Sequence, residues 1–554
     1  MSQPDHTITH PTLHCSLRGK SFPTSVQFRN LKYAAIPSRF HESVPNDNLK
    51  LGPDGSFDAT RFGPSCPQKR GAQALDLGLV GDVTLDCEDG QVNGEEGEMD
   101  EFECLHVNVT VPNLALDKSG TGDGRDLLPV FVWVHGGGLC WGSNSYPQYE
   151  IRRFVERSVE IGEPMVGVAF NYRLGVLGFL ADEDVGAKGN MGFKDQVLAF
   201  KWIKKHIKGF GGDPGNVTAA GESAGGISLS TILCADVGSE GLFERVVVMS
   251  GETTLRKPRG RSWHRQLYRS QAKLLGVEET DARALEQTLL EIEAEKLMKQ
   301  LPLMQHYCGY VDGKWLKEDV SLSKLAHGRH THHKPTWCKE FVVGDMAHDG
   351  TVLKSRLLDQ PDPLGQLKAA CSQHLTASET SALLAAYKLD GIPTAKQQDM
   401  LLKLASELRF YYPTLTVHNG WKSTSPPKHA ARYHFHTPNP FKGAYRGLAS
   451  HELDVAFLLQ NFNDQLDEQN LRIAESFADR FIGFANGAGW CEAGKVVVFD
   501  SRGAIEVDEA EYDRTYRDGR GAVLESLGAD KVWRVAEAWQ GVPSEDDERA
   551  TSKI

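Results

Sequence analysis

Gly221-Glu222-Ser223-Ala224-Gly225, followed by Gly226, is the stretch whose reading decides the fold. A short β-type run, Val217 to Ala220, leads into it, and a helix-compatible run, Gly226 to Leu233, leads out. A chain that turns from strand into helix this abruptly holds the apical residue in a strained conformation with its side chain exposed. Glycines flank the apex because larger side chains would clash there. The new helix also aims its N-terminus at Ser223, where developing negative charge is favoured. The pattern predicts a nucleophile elbow with Ser223 at its tip.

About 85 residues upstream, the apolar run Val130 to Val134 ends in His135-Gly136-Gly137-Gly138. A glycine loop of this kind bares backbone N–H groups. Together with the amide of Ala224, those of Gly137 and Gly138 are candidates to hold a tetrahedral oxyanion. One such donor is typically worth about 3–4 kcal/mol of transition-state stabilisation. A phosphate cradle is the competing use of a glycine turn, but neither GxGxxG nor GxxxxGK[ST] occurs here.

Further short apolar runs mark strands: Met165 to Phe170, Val246 to Met249 and Glu340 to Val343. Runs bounded by Gly and Pro suit strands buried on both faces. Between them Phe200, Ile203 and Ile207, and later Leu401, Leu404 and Leu408, recur at helical spacing. Alternating strands and helices predict an α/β architecture with a large, mostly parallel sheet and helices on both faces. The stretch 255–335 reads as a helix-rich insertion, 113–126 as a surface connection, and 544–554 as a polar tail. Because the motifs run from 135 to 451, one domain over 1–543 is expected.

Composition narrows the function. The 554 residues are 40% hydrophobic, and 61 basic against 74 acidic residues leave a net charge of −13. No basic surplus exists for phosphate contacts, so nucleic-acid binding is not expected. No run approaches the ~18 apolar residues of a membrane span, and Met1 to Lys20 lacks a secretory pattern. A cytoplasmic location is therefore expected, with the peroxisome as the alternative, since Ser552-Lys553-Ile554 lies one substitution from Ser-Lys-Leu. The sequons at Asn108 and Asn216 read as chance. The acidic stretch Asp86 to Glu103 reads as a solvated loop or as a rim that repels anionic substrates. The histidines at 327, 330, 332 and 333 lack metalloprotease spacing, so neither metal nor cofactor is expected.

Wider blocks carry a family resemblance. They are Glu103-Cys104-Leu105-His106-Val107-Asn108-Val109, Asn171-Tyr172-Arg173-Leu174-Gly175, Gly189-Asn190-Met191-Gly192, Phe210-Gly211-Gly212-Asp213-Pro214 and Met249-Ser250-Gly251. With the elbow and the HGGG loop, the chain resembles the type-B carboxylesterase, cholinesterase-like group of α/β-hydrolases. The resemblance implies the order serine, acid, histidine. It puts Asp349, in Gly344-Asp345-Met346-Ala347-His348-Asp349-Gly350, at a position where most members carry Glu, with Asp345 as the rival. Of His374, His418, His429, His434, His436 and His451, it favours His451. It further implies that Glu222 is a buried partner of the histidine, that Ser250 steadies the acid, and that Cys66 and Cys104 match a family disulfide pair. In a reducing compartment those two cysteines would remain thiols.

The implied activity is a serine carboxylic-ester hydrolase acting through an acyl-enzyme on a small-molecule ester. A lactonase, an acyl-removing biosynthetic esterase and a catalytically silent binding protein are the alternatives. Trp141, with Tyr146 and Tyr149 after it, is a candidate lining of the substrate pocket. Composition and motifs leave the oligomeric state open.

Overall fold

The computed structural model describes residues 5–542, apart from 86, 88–90, 92–93, 118–126, 183–184, 278–281, 330–332 and 392–393. The polar tail, residues 118–126 of the 113–126 connection, His330, His332 and part of the acidic stretch thus lie outside the described residues.

Alternation along the apolar runs builds the centre of the molecule. Successive strand side chains point to opposite faces of a sheet. Val130, Val132 and Val134 join one apolar core, whereas Phe131 and Trp133 join the other. Val246 and Val248 divide from Val247 and Met249 in the same way. A strand that is apolar at every position must be covered on both sides. One side is covered by the helices Met191–His206 and Ala224–Leu233, and the other by Leu453–Leu458 and Glu468–Ala485.

The sheet between them has thirteen strands. Its inner part is parallel, in the order Val166–Phe170, Leu128–Val134, Gly212–Glu222, Arg245–Met249, Glu340–Met346, His429–Phe435, Lys495–Asp500. Antiparallel strands extend both edges, including Ser25–Lys32 and His106–Pro112 at one end and Gly503–Asp508 at the other. All five strands expected from the sequence are present, and Val217 to Ala220 is the end of a longer strand, Gly212–Glu222. From Leu128–Val134 the chain goes first to a neighbour on one side and then to one on the other. Such a reversal opens a crevice at the carboxyl ends of the strands, where α/β proteins place their sites.

The 255–335 stretch is helical, with Arg261–Leu274, Ala282–Glu291 and Ala294–Gln300. The helix containing Leu401 and Leu404, Thr394–Ser406, passes into a π-turn, Glu407–Tyr411, before continuing as Tyr412–Lys422. A π-turn adds a residue to the helical repeat and re-aims the side chains on it. Among the described residues, no helix is long and apolar enough to cross a membrane.

Candidate active site

Ser223 sits at the carboxyl end of Gly212–Glu222 with φ 50° and ψ −117°, a strained combination for a residue other than glycine. It caps the helix Ala224–Leu233, yet its side chain makes no capping bond, so the hydroxyl is not committed to the helix. The flanking glycine is sterically required: a Cβ on Gly225 would lie 2.0 Å from the carbonyl oxygen of Val134. The sequence reading of the elbow and the local backbone agree.

The HGGG loop is shaped by its carbonyls. Gly137 has φ 95°, and its carbonyl accepts from the amides of Cys140 and Trp141 at 2.9 and 3.1 Å. A Cβ on Gly137 would fall 2.1 Å from the Trp141 carbonyl oxygen. The tight turn leaves Gly137 and Gly138 lining the cavity that also exposes Ser223. His135 is not a reacting group. Its ring stacks on Tyr172 at 4.5 Å, and burial pushes its pKa down to about 4, so it stays neutral.

Two further segments bring together Asp349 and His451, the candidate acid and base. Asp349 follows Glu340–Met346, and its Oδ1 lies 2.7 Å from Nδ1 of His451. Its Oδ2 accepts from the Ser250 hydroxyl at 3.1 Å and the Met346 amide at 2.8 Å. Burial raises the Asp349 pKa, while the bond to His451 and the charge of that residue pull it back down. Burial alone would lower the His451 pKa, but the Asp349 hydrogen bond and the charges of Asp349, Glu452 and Asp454 outweigh it and raise the value. The rival Asp345 belongs elsewhere: its oxygens meet His434 Nδ1 at 2.8 Å and Arg517 at 3.0 Å. His434 is buried in the core, and the half-buried His436 meets the Tyr512 hydroxyl at 3.0 Å.

Glu222 is fully buried with Oε1 3.0 Å from Nε2 of His451. Burial, with the nearby charges of Asp454, Asp349 and Asp76, raises its pKa well above the usual carboxylate value, and it hydrogen-bonds Glu452. Glu452 is raised by the same two causes, burial and neighbouring acids. Tyr149 then bridges Glu452 at 3.3 Å and Asp76 at 2.8 Å, and Trp141 Nε1 donates to Asp76 at 3.0 Å. Two carboxyls this close cannot both ionise cheaply, so Glu222 and Glu452 share protons. Asp454 lies in the loop by which the resemblance placed His451, whereas Glu452, next to that histidine, and Asp76 carried no motif of their own.

Trp141 does line the cavity, but Tyr146 and Tyr149 do not. Both are buried behind its wall, where Tyr146 donates to Gln68 and Tyr149 to Asp76. Aromatic rings after a glycine loop served the polar network rather than the surface. Part of the acidic stretch is tied into the fold. Among its described residues, Glu96 is buried and accepts from the amides of Gly71 and Gln73, while Glu101 pairs with Arg39 and Glu103 with Lys32. Glu101 and Glu103 thus have cationic partners and Glu96 is held by backbone amides, while Glu95 and Glu98 are exposed.

No group of metal-ligating side chains is present among the described residues. His333 instead accepts at Nδ1 from Trp421 and meets Ser230 through Nε2 at 2.8 Å. None of the ten cysteines is in a disulfide, Cys66 and Cys104 included. Asn108 is buried, with its side-chain amide donating to Asn144, so that sequon is not accessible.

The sequence matches the carboxylesterase family over residues 8–488. The chain belongs to that family. This carboxylesterase is 29% identical over 535 residues to Lipase 3 of Yarrowia lipolytica, covering 95% of this chain and 98% of that protein. Shorter matches include Pyrethroid hydrolase Ces2e of Rattus norvegicus, 36% identical over 39% of this chain and 35% of the relative. Para-nitrobenzyl esterase of Bacillus subtilis is 36% identical over 35% of this chain and 34% of the relative. A solved thermophilic PNB esterase superposes with a TM-score of 0.69 at 21% identity, over 93% of this chain and 99% of its own, and shares the α/β-hydrolase fold. The carboxylesterase is accordingly a carboxylic ester hydrolase.

Proposed function

We propose that this carboxylesterase hydrolyses a small-molecule ester through an acyl-enzyme on Ser223, with His451 as base and Asp349 as its orienting acid. One observation carries the reading. Ser223, at a helix N-terminus, shares a cavity with Gly137, Gly138 and His451, and His451 is held from behind by Asp349.

The chemistry follows from that geometry. Asp349 accepts the Nδ1 proton of His451, which leaves Nε2 basic on the cavity side. His451 takes the Ser223 proton as the oxygen attacks the ester carbonyl. The amides of Gly137, Gly138 and Ala224 receive the oxyanion. Collapse expels the alcohol, protonated by His451, and leaves an acyl-serine. Water, activated by the same imidazole, releases the acid. During both halves the imidazolium is stabilised by ionised Asp349 and by the Glu222–Glu452 pair at its Nε2 edge.

Labelling with a fluorophosphonate followed by peptide mapping tests the reading. Modification at Ser223, and a loss of about 10⁶ in turnover of p-nitrophenyl butyrate in Ser223→Ala, are expected. A Ser223→Ala variant keeping a tenth of wild-type activity would overturn it.

A further inference from the structure

The cavity that holds Ser223 and His451 has two chemically different ends. One end is the proton-sharing acid network of Asp76 and Glu452. The other is formed by Arg256, Arg356, Arg409 and His306. These come from separate segments: Arg256 from the turn after Ser250, Arg356 from the short helix after Asp349, and Arg409 from the π-turn.

Ordinary esterase pockets need apolar walls, and buried guanidinium groups demand counter-charges. Arg256 is only 8% exposed and Arg409 only 4%. The Arg256 side chain bonds a carbonyl, that of Gln305 at 3.0 Å, and no carboxylate among the described residues. Arg356 likewise forms no ion pair among them. Arg409 is better served, since its Nη2 bonds the Leu255 carbonyl at 2.8 Å and its Nη1 lies 3.9 Å from Glu537. Glu537, however, is already bound by Arg259, and Glu252, the other nearby acid, is engaged by Thr254. The cluster is thus short of negative charge. Burial first, and then repulsion from Arg356 and Arg409, pushes Arg256 down to about 10; burial, against the pull of Glu537 and Glu252, also lowers Arg409. His306 adds an independent sign of a vacant partner: its Nε2 is buried without a hydrogen bond.

The cluster lies beside the chemistry. A Cβ placed on Gly138 would be 3.5 Å from a terminal nitrogen of Arg256. A group seated on that guanidinium is within a few bonds of a carbonyl held in the oxyanion loop.

We propose that the ester taken by this site carries an anionic group, a carboxylate or a phosphate, bound by Arg256 and Arg356 with Arg409 and His306 behind them. The proposal rests on the esterase reading above and names its substrate class. A planar or tetrahedral anion accepts from several guanidinium N–H groups at once, and in a cavity sheltered from water such bonds are strong. The neutral pocket walls, Ile227, Leu255 and Val352, remain for the rest of the substrate.

The test compares charged esters with neutral isosteres on the full-length protein. On the acyl side, p-nitrophenyl hemiglutarate and p-nitrophenyl 4-phosphonobutanoate are set against p-nitrophenyl 5-methylhexanoate. On the alcohol side, 4-carboxyphenyl butyrate is set against 4-carbamoylphenyl butyrate. At least one anionic ester should exceed its neutral partner in kcat/KM by tenfold or more, and the arm that does so identifies the anion and its side. In Arg256→Gln and Arg356→Gln that ratio should fall at least tenfold; being a ratio, it is insensitive to the fraction of enzyme folded. Ratios at or below one in every arm, or a ratio unchanged in both variants, would overturn the anion site. Failure of Ser223-dependent hydrolysis of the neutral esters would instead overturn the esterase reading itself.

Discussion

Asp349→Asn should separate what the acid does from where it sits. Both oxygens of Asp349 are used: Oδ1 by His451, Oδ2 by the Ser250 hydroxyl and the Met346 amide. In the asparagine variant, the Met346 N–H still requires an acceptor at 2.8 Å, and an amide nitrogen cannot provide one. The side-chain carbonyl therefore turns toward Met346, and the NH₂ faces His451. Nδ1 becomes an acceptor, and the ring proton moves to Nε2, where it blocks removal of the Ser223 proton. In serine proteases this tautomer error costs about 10⁴ in kcat, or about 5 kcal/mol of barrier. The assay is steady-state turnover of p-nitrophenyl butyrate, with circular dichroism to establish folding. The acid limb of the pH profile should also move downward, because the interactions that raise the His451 pKa are weakened. A folded Asp349→Asn enzyme within tenfold of wild type would refute the tautomer argument.

Three other outcomes follow from the same geometry. The wild-type acid limb of kcat/KM on a neutral ester should lie above the ordinary histidine value of 6.5, since activity needs neutral His451 and its pKa is raised; a midpoint at or below 6.5 would contradict this. Gly225→Ala should lose kcat by about 10² or more, because a methyl 2.0 Å from the Val134 carbonyl must push the elbow away from the oxyanion loop; unchanged kinetics would show that the turn yields. Glu407→Ala should lower stability to urea by about 3–5 kcal/mol, since Glu407 is the buried partner of Arg520 at 2.7 Å and Arg517 at 3.2 Å. A loss below about 1 kcal/mol would mean that Asp345 and Asp518 suffice for those arginines.

The fold and the candidate nucleophile were legible in the sequence because their determinants are local. Gly221 to Gly226 encode a turn that few other residues can make, and Val130 to Val134 encodes a strand covered on both faces. His451 and Asp349 were legible through the resemblance, though Asp345 stood only four residues from Asp349 with equal chemistry. Register and loop path separated them, since one reaches His451 and the other is held by His434 and Arg517. The fate of Tyr146 and Tyr149 was likewise beyond sequence reasoning, because an aromatic ring with a polar tip suits a pocket wall and a buried hydrogen-bond network equally well.

What the sequence determined by itself was the candidate reactive centre: a strained turn at Ser223, a glycine loop at Gly137 and Gly138, and a parallel sheet to carry them. What only the tertiary structure decided was the surroundings of that centre. Glu222 and Glu452 are separated by 230 positions, and Arg256, Arg356 and Arg409 are spread over 153, with no spacing rule linking them. Charge in a protein acts through space in a medium of low dielectric, so its effect depends on which segments the fold brings together and how much water it excludes.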